Sequence, residues 1–131
     1  MTPSADSLRL SLDVPREARA GAPVPMALRV ENAAARPLDL YLRGRTIAFD
    51  LVVERADGRP IWRRLEGEMV PAIVQLRTLA PGEVLELRAR WNGRTARGAP
   101  APGDYVVRGL LLTDGPDPLA TPAAPLRILP P

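Results

Sequence analysis

Apolar residues return at every second position in this chain, and proline or glycine interrupts each run before it grows long. Leu8, Leu10, Leu12 and Val14 alternate with Arg9, Ser11 and Asp13. Val24, Met26, Leu28 and Val30 repeat the pattern before Asn32. Leu38, Leu40 and Leu42 form a shorter run; Ile47, Phe49, Leu51 and Val53 form a longer one. Ile61-Trp62-Arg63 follows Asp57-Gly58, and further runs cover 85–91, Tyr105 to Thr113 and Leu126 to Ile128. A period of two places one side of each strand on a core and the other in water. Sixteen prolines and ten glycines leave no stretch long enough for a stable periodic helix.

Turn signals separate the runs: Gly21-Ala22-Pro23, Arg36-Pro37, Arg43-Gly44, Asp57-Gly58, Pro81-Gly82, Pro102-Gly103 and Asp114-Gly115. Asp57-Gly58 marks a hairpin, because Gly accepts the positive φ that tight hairpin turns require. Seven or eight short strands spaced in this way predict an all-β antiparallel sandwich. At 131 residues the chain reads as one domain, 1–131, with a strand core over about 8–129. The stretch from Leu65 to Thr78 is less regular, and one helical turn within 66–76 is compatible with it.

The aromatics take places in this pattern. Trp91 shares parity with Leu85, Leu87 and Ala89, so it is expected to point inward and find a carbonyl for its N–H. Phe49 and Leu87 join it as core positions, and Tyr105, just after Pro102-Gly103-Asp104, resembles the tyrosine that ties down a corner in immunoglobulin-like sandwiches. Trp62 precedes two arginines at the mouth of the irregular stretch and can serve either the core or a partner.

Composition excludes most chemistry. All eighteen basic residues are Arg; His, Lys and Cys are absent. A serine or cysteine triad, a Schiff base, a P-loop lysine and a thiolate metal site are therefore ruled out. Carboxylates remain, but a glycosidase-like pair needs two acids across a cleft, and Asp13, Glu86 and Asp57 fall on outward positions or turns. Asp114 and Asp117 lack the run of oxygen ligands of a calcium loop. We expect no catalytic residue, no metal and no cofactor. The arginines are interleaved with acids, and the longest basic run is Arg63-Arg64, so no nucleic-acid stripe is present. The first residues, MTPSADSLRLSLDV, lack a basic segment followed by an apolar one, and no apolar run approaches the about 20 residues of a membrane span. A cytoplasmic protein without a membrane partner is the expectation.

Several motifs in order resemble the BsuPI family of bacterial intracellular proteinase inhibitors over roughly 24–112. They are LRVENAAARPLDLYL; IAFDLVVERADGRPIWR; LAPGE, leading to a strand that ends in Trp91-Asn92; and a loop closing in Pro102-Gly103-Asp104-Tyr105-Val106-Val107. The resemblance implies an immunoglobulin-like β-sandwich and inhibition of an intracellular subtilisin-type serine protease. The segment after Trp62-Arg63 departs from the family's Ser and exposed aromatic: it reads Arg64-Leu65-Glu66-Gly67-Glu68-Met69-Val70. An inhibitor of this kind docks a surface loop in the protease cleft. Three connections are long enough: 63–78, 92–103 and 114–125. Subtilisin-type clefts accept apolar side chains, which favours the first and makes Trp62, Arg64, Leu65, Met69 and Val70 the candidate contact residues. The alternative is an immunoglobulin-like interaction module that binds a protein without inhibiting it.

Overall fold

The computed structural model describes residues 7–95, 97–99 and 101–131. Eleven strands follow one another: β1 (Leu8–Asp13), β2 (Glu17–Arg19), β3 (Val24–Asn32), β4 (Leu38–Arg43), β5 (Phe49–Glu54), β6 (Pro60–Arg63), β7 (Val74–Leu79), β8 (Val84–Trp91), β9 (Gly103–Leu111), β10 (Leu119–Ala120) and β11 (Ala124–Leu129). Every alternating run in the sequence forms a strand, and the fold is an all-β antiparallel sandwich of immunoglobulin-like type. Eight of the strands have six residues or more.

One layer is the sheet β1-β3-β8, the other β2-β11-β9-β5-β6, with β10 added to β9; β4 and β7 form a separate two-stranded ribbon. Leu28 and Val30 of the first layer face Leu51, Val53, Val107 and Leu111 of the second, and all six are fully buried. Gly109 lies among them. A Cβ there would stand 3.0 Å from Leu28 Cδ1, so glycine lets the two layers approach at the centre. The Asp57-Gly58 hairpin closes β5 on β6, with Gly58 at φ 89° and the Arg55 N–H donating to Arg59 O at 2.9 Å.

The ribbon is held from three sides. Leu38, Leu40 and Leu42 of β4 enter the core. Asn32, fully buried at the end of β3, donates through Nδ2 to the carbonyls of Arg36 (2.8 Å) and Leu79 (2.9 Å) and accepts from Ala34 N. On the far side of β4, Arg43 N donates to Leu112 O and Asp114 N to Tyr41 O, beside a bridge between Leu42 and Thr113.

Three strands correct the sequence-based picture. Residues 74–79, expected to belong to a long connection, form β7 and pair with β4 from Leu38↔Leu79 to Arg43↔Val74. The 66–76 region contains no helical turn. Within 114–125, β10 pairs with β9 through Leu119↔Leu111 and Ala120↔Leu110, so that connection is pinned down in part. The three residues of β2, too few to register as alternation, run parallel to β11.

Candidate functional site

With β7 a strand, the irregular connection shortens to about 64–73, and its two ends are firmly tied. Asp50 of β5 is only 6% exposed, and its Oδ1 accepts from the backbone N–H of Leu51 (2.9 Å) and of Leu65 (3.0 Å). Its Oδ2 lies 3.6 Å from the Arg63 guanidinium. Next along the chain, Arg64 folds back over the sandwich. It donates to Phe49 O at 2.7 Å, and its guanidinium carbon stands 3.9 Å from the centre of the Phe49 ring. A cation over an aromatic face is attracted by the ring's quadrupole. Arg64 N also donates to Leu51 O. At the far end, the Gly44 N–H donates to Ile73 O at 2.8 Å.

Between these anchors the chain turns twice. Glu66 N donates to Arg63 O and Glu68 N to Leu65 O, with Gly67 at φ 76°, a conformation that side-chain-bearing residues avoid. Pro71 then limits the backbone. The result places Met69 in water, 95% exposed, at the head of the loop. Leu65 and Val70 are half-buried and line a groove of ≈ 380 Å³ shared with Arg45, Ile47 and Arg64. At the far anchor, Gly44 (φ 93°) passes so close to Thr46 O that a Cβ would collide with it.

Of the candidate contact residues, Arg64, Leu65, Met69 and Val70 share this loop and groove, with Met69 alone projecting freely. Trp62 stands apart. It is half-buried and stacks on Trp91, ring centres 5.8 Å apart and planes inclined by 28°. Trp91, 1% exposed, meets Tyr105 edge-on at 6.4 Å and donates its indole N–H to Arg94 O at 2.8 Å. Tyr105 donates to Pro102 O at 3.4 Å. The three rings thus tie β6, β8 and β9 together. Phe49 is 5% exposed and Leu87 half-buried against the core.

Sequence reading missed the part played by Asp50. In an alternating strand it occupies a position that normally faces water, and only the return of residues 63–65 over β5 buries it. It also missed an apolar surface. The five large apolar side chains exposed among the described residues are Tyr41, Met69, Ile73, Val74 and Leu76, all on this loop and the adjoining β4–β7 ribbon.

The remaining two connections carry ties of their own. In 92–103, residues 96 and 100 lie outside the described residues; Thr95 N and Ala99 O close the turn at 2.8 Å. In 114–125, Thr121 is buried and accepts through Oγ1 from Gly109 N. Among the described residues, no group of three or more acids could hold a metal ion, and no helix is long and apolar enough to cross a membrane.

Comparison with known proteins adds to this geometry. Among solved structures, the alkylpurine DNA glycosylase AlkC of Pseudomonas fluorescens, bound to DNA containing an abasic site analog, is similar at TM-score 0.53 and 17% identity over 93% of this chain. The β-glucosidase from Listeria innocua has a TM-score of 0.49 and 11% identity over 92% of this chain. The CARDB domain of PF1109 from Pyrococcus furiosus has the same TM-score and identity, with 92% of this chain and 91% of that one covered. The chain spans only 30% of the glycosylase and 16% of the glucosidase, and at this identity the likeness concerns the fold alone. No match was found among curated proteins. The family model described as intracellular proteinase inhibitor matches residues 8–115, which include strands β1 to β9, the loop and the three-ring cluster but not β10 and β11, and the chain belongs to this BsuPI family.

Proposed function

We propose that the protein is a non-catalytic inhibitor of a subtilisin-type serine protease inside the cell, acting in the cytoplasm by laying the 64–71 loop in the protease cleft. Met69 enters the primary apolar pocket. Leu65 and Val70 contact the cleft walls beside it, and Arg64 holds the loop to Phe49. Trp62 serves from below, through its stack on Trp91. The observation that carries this reading is the contrast within one loop: a fully exposed apolar head on a base fastened by a buried carboxylate and an arginine.

That contrast has an energetic meaning. A complex of this class buries about 800 Å² on each partner, and a loop already ordered loses little entropy on docking. An ordinary connection of this composition would fold its large apolar side chains under the sandwich, where each gains about 1.5–3 kcal/mol by leaving water. Met69 forgoes that gain. Without disulfides, the ties from Asp50 and Arg64 restrain the loop in its place.

The test is inhibition of a panel of subtilisin-type proteases, with the inhibitor's integrity followed by mass spectrometry. Sub-micromolar inhibition without cleavage is expected, and Met69→Asp should weaken it at least tenfold while leaving the far-ultraviolet dichroism unchanged. An absence of inhibition across the panel, or full potency in Met69→Asp, would sink the reading.

A further inference from the structure

The apolar surface beside the loop belongs to an edge strand, and its hydrogen-bonding phase can be worked out. Tyr41 and Arg43 direct their backbone groups away from β7, toward residues 112–114. Gly44 N donates to Ile73 O, and Asn32 Nδ2 reaches Leu79 O on the same side. Backbone groups alternate sides along a strand, so Gln75 and Arg77 bond β4, while the N–H and C=O groups of Val74, Leu76 and Thr78 point outward. Among the described residues, no strand pairs with that edge. Natural edge strands are commonly protected by Pro, by charged side chains or by a bulge. Residues 74–79, VQLRTL, carry no Pro and a single charge, Arg77, which is paired with Glu83 and lies off the row of Val74, Leu76 and Thr78. Their pairing with β4 runs without a register shift.

We propose that this edge pairs with the same edge of a second copy, forming a two-fold symmetric dimer through antiparallel β7 strands centred on Leu76. In that register Val74 faces Thr78 of the second copy, Leu76 faces its own counterpart, and Gln75 faces Arg77. The residues paired face to face through hydrogen bonds are the three with outward amides. Arg77 never meets Arg77, as it would if the strands slipped by two residues toward their C-terminal ends.

The side chains agree with the backbone. Tyr41 pairs with Leu76, Asp39 with Thr78 and Arg43 with Val74. Across the joined ribbons the central row reads Tyr41, Leu76, Leu76, Tyr41, all exposed and apolar in the single chain. The flanking rows read Asp39 and Thr78, then Val74 and Arg43 of the second copy, so the two charges lie at opposite ends. A two-fold interface lays a surface against itself, and in this register Leu76 meets Leu76 and no like charges face each other across the seam. The antiparallel seam sends the two 64–71 loops to opposite ends; the Val74 residues that open the two strands lie four residue steps apart along it, about 14 Å. Both Met69 side chains stay free, so each dimer would offer two docking loops.

Sedimentation velocity over a range of concentrations should show twice the chain mass at high concentration. Leu76→Pro removes one outward N–H and no bond to β4; it should shift the species to the monomer, with the dichroism spectrum unchanged. Because the chain contains no Cys, Leu76→Cys offers a second probe. A hydrogen-bonded pair sets Cα atoms about 5.5 Å apart, within disulfide reach. Mild oxidation should cross-link Leu76→Cys, while Arg59→Cys at the far hairpin stays monomeric. A monomer at every concentration, a dimer that survives Leu76→Pro, or equal cross-linking of both cysteine variants overturns the proposal. So does a monomer whose inhibition of a protease is lost in Leu76→Pro, which would assign the edge to the protease instead.

Discussion

Strands β9 and β7 each carry an apolar row at every second position, yet the two rows stand in opposite relations to the core. In β9, Tyr105, Val107 and Leu111 point inward and are at most 3% exposed. In β7, the residues of matching apolar parity, Val74 and Leu76, face water at 45% and 56% exposure, while Gln75 and Arg77 hold the positions on the sandwich side. β9 has β5, β10 and β11 along its edges; β7 has β4 alone. A strand bonded on both sides between two layers has no choice of face. A strand at the rim takes the face that its single neighbour and its tethers dictate. In β7 the tethers are Asn32 on the Leu79 carbonyl and Gln75, which donates to Gly44 O at 2.7 Å and Arg45 O at 3.0 Å. An apolar row left outward at the rim is the form an interaction surface takes.

Substitutions at equivalent positions of the two strands probe this contrast most directly. Leu111→Ala, in the inward row of β9, should cost about 2–5 kcal/mol in urea unfolding, because the deleted atoms leave a cavity between packed layers. A cost below about 1 kcal/mol would mean the centre is as forgiving as the rim.

Next in size is the junction where the buried sheet meets the loop. Asp50→Ala leaves the N–H groups of Leu51 and Leu65 without their acceptor. It should destabilise by about 1–3 kcal/mol and speed amide exchange at Leu65. Unchanged exchange there would show that the loop stays ordered without this tie.

Arg77→Ala occupies the sandwich-side row of β7. Its pairing with Glu83 spans 4.0 Å with both side chains over 40% exposed, so the change should stay within about 0.5 kcal/mol. A loss comparable to Leu111→Ala would erase the distinction between the strands.

The smallest effect belongs to the Asp57 turn. The backbone N–H of Arg59 holds the Asp57 carboxyl below its ordinary value of 3.8, and the Arg59 guanidinium adds to this. The folded value is the lower one. The contribution is therefore present above the unfolded value and disappears as the pH falls through the folded one. Asp57→Asn should lower the Tm slightly at neutral pH, and the difference should vanish in strongly acid solution. A difference that grew on acidification would reverse this sign.

How much was legible beforehand differs between the site and the fold. Met69 and Val70 were readable as candidate contacts from their place in an irregular apolar stretch. The ties at the loop's base were not. Asp50 has the parity of a solvent-facing residue, and Arg64 looks like any surface arginine until Phe49 is seen beneath it. Trp62, at the mouth of the same stretch, turns out to stack on a tryptophan twenty-nine positions later, a contact that local spacing does not encode.

The order of residues along the chain determined most of the strands, where most of them turn, and that no catalytic His, Lys or Cys is available. These are local matters, set by alternation, by the φ that Gly and Pro permit, and by residue chemistry. Tertiary structure alone decided that Asp50 is buried, that 74–79 is a rim strand, and that its apolar row faces outward. Parity divides a strand into two faces without saying which is inside, and only the neighbours laid against it, drawn from distant parts of the chain, make that choice.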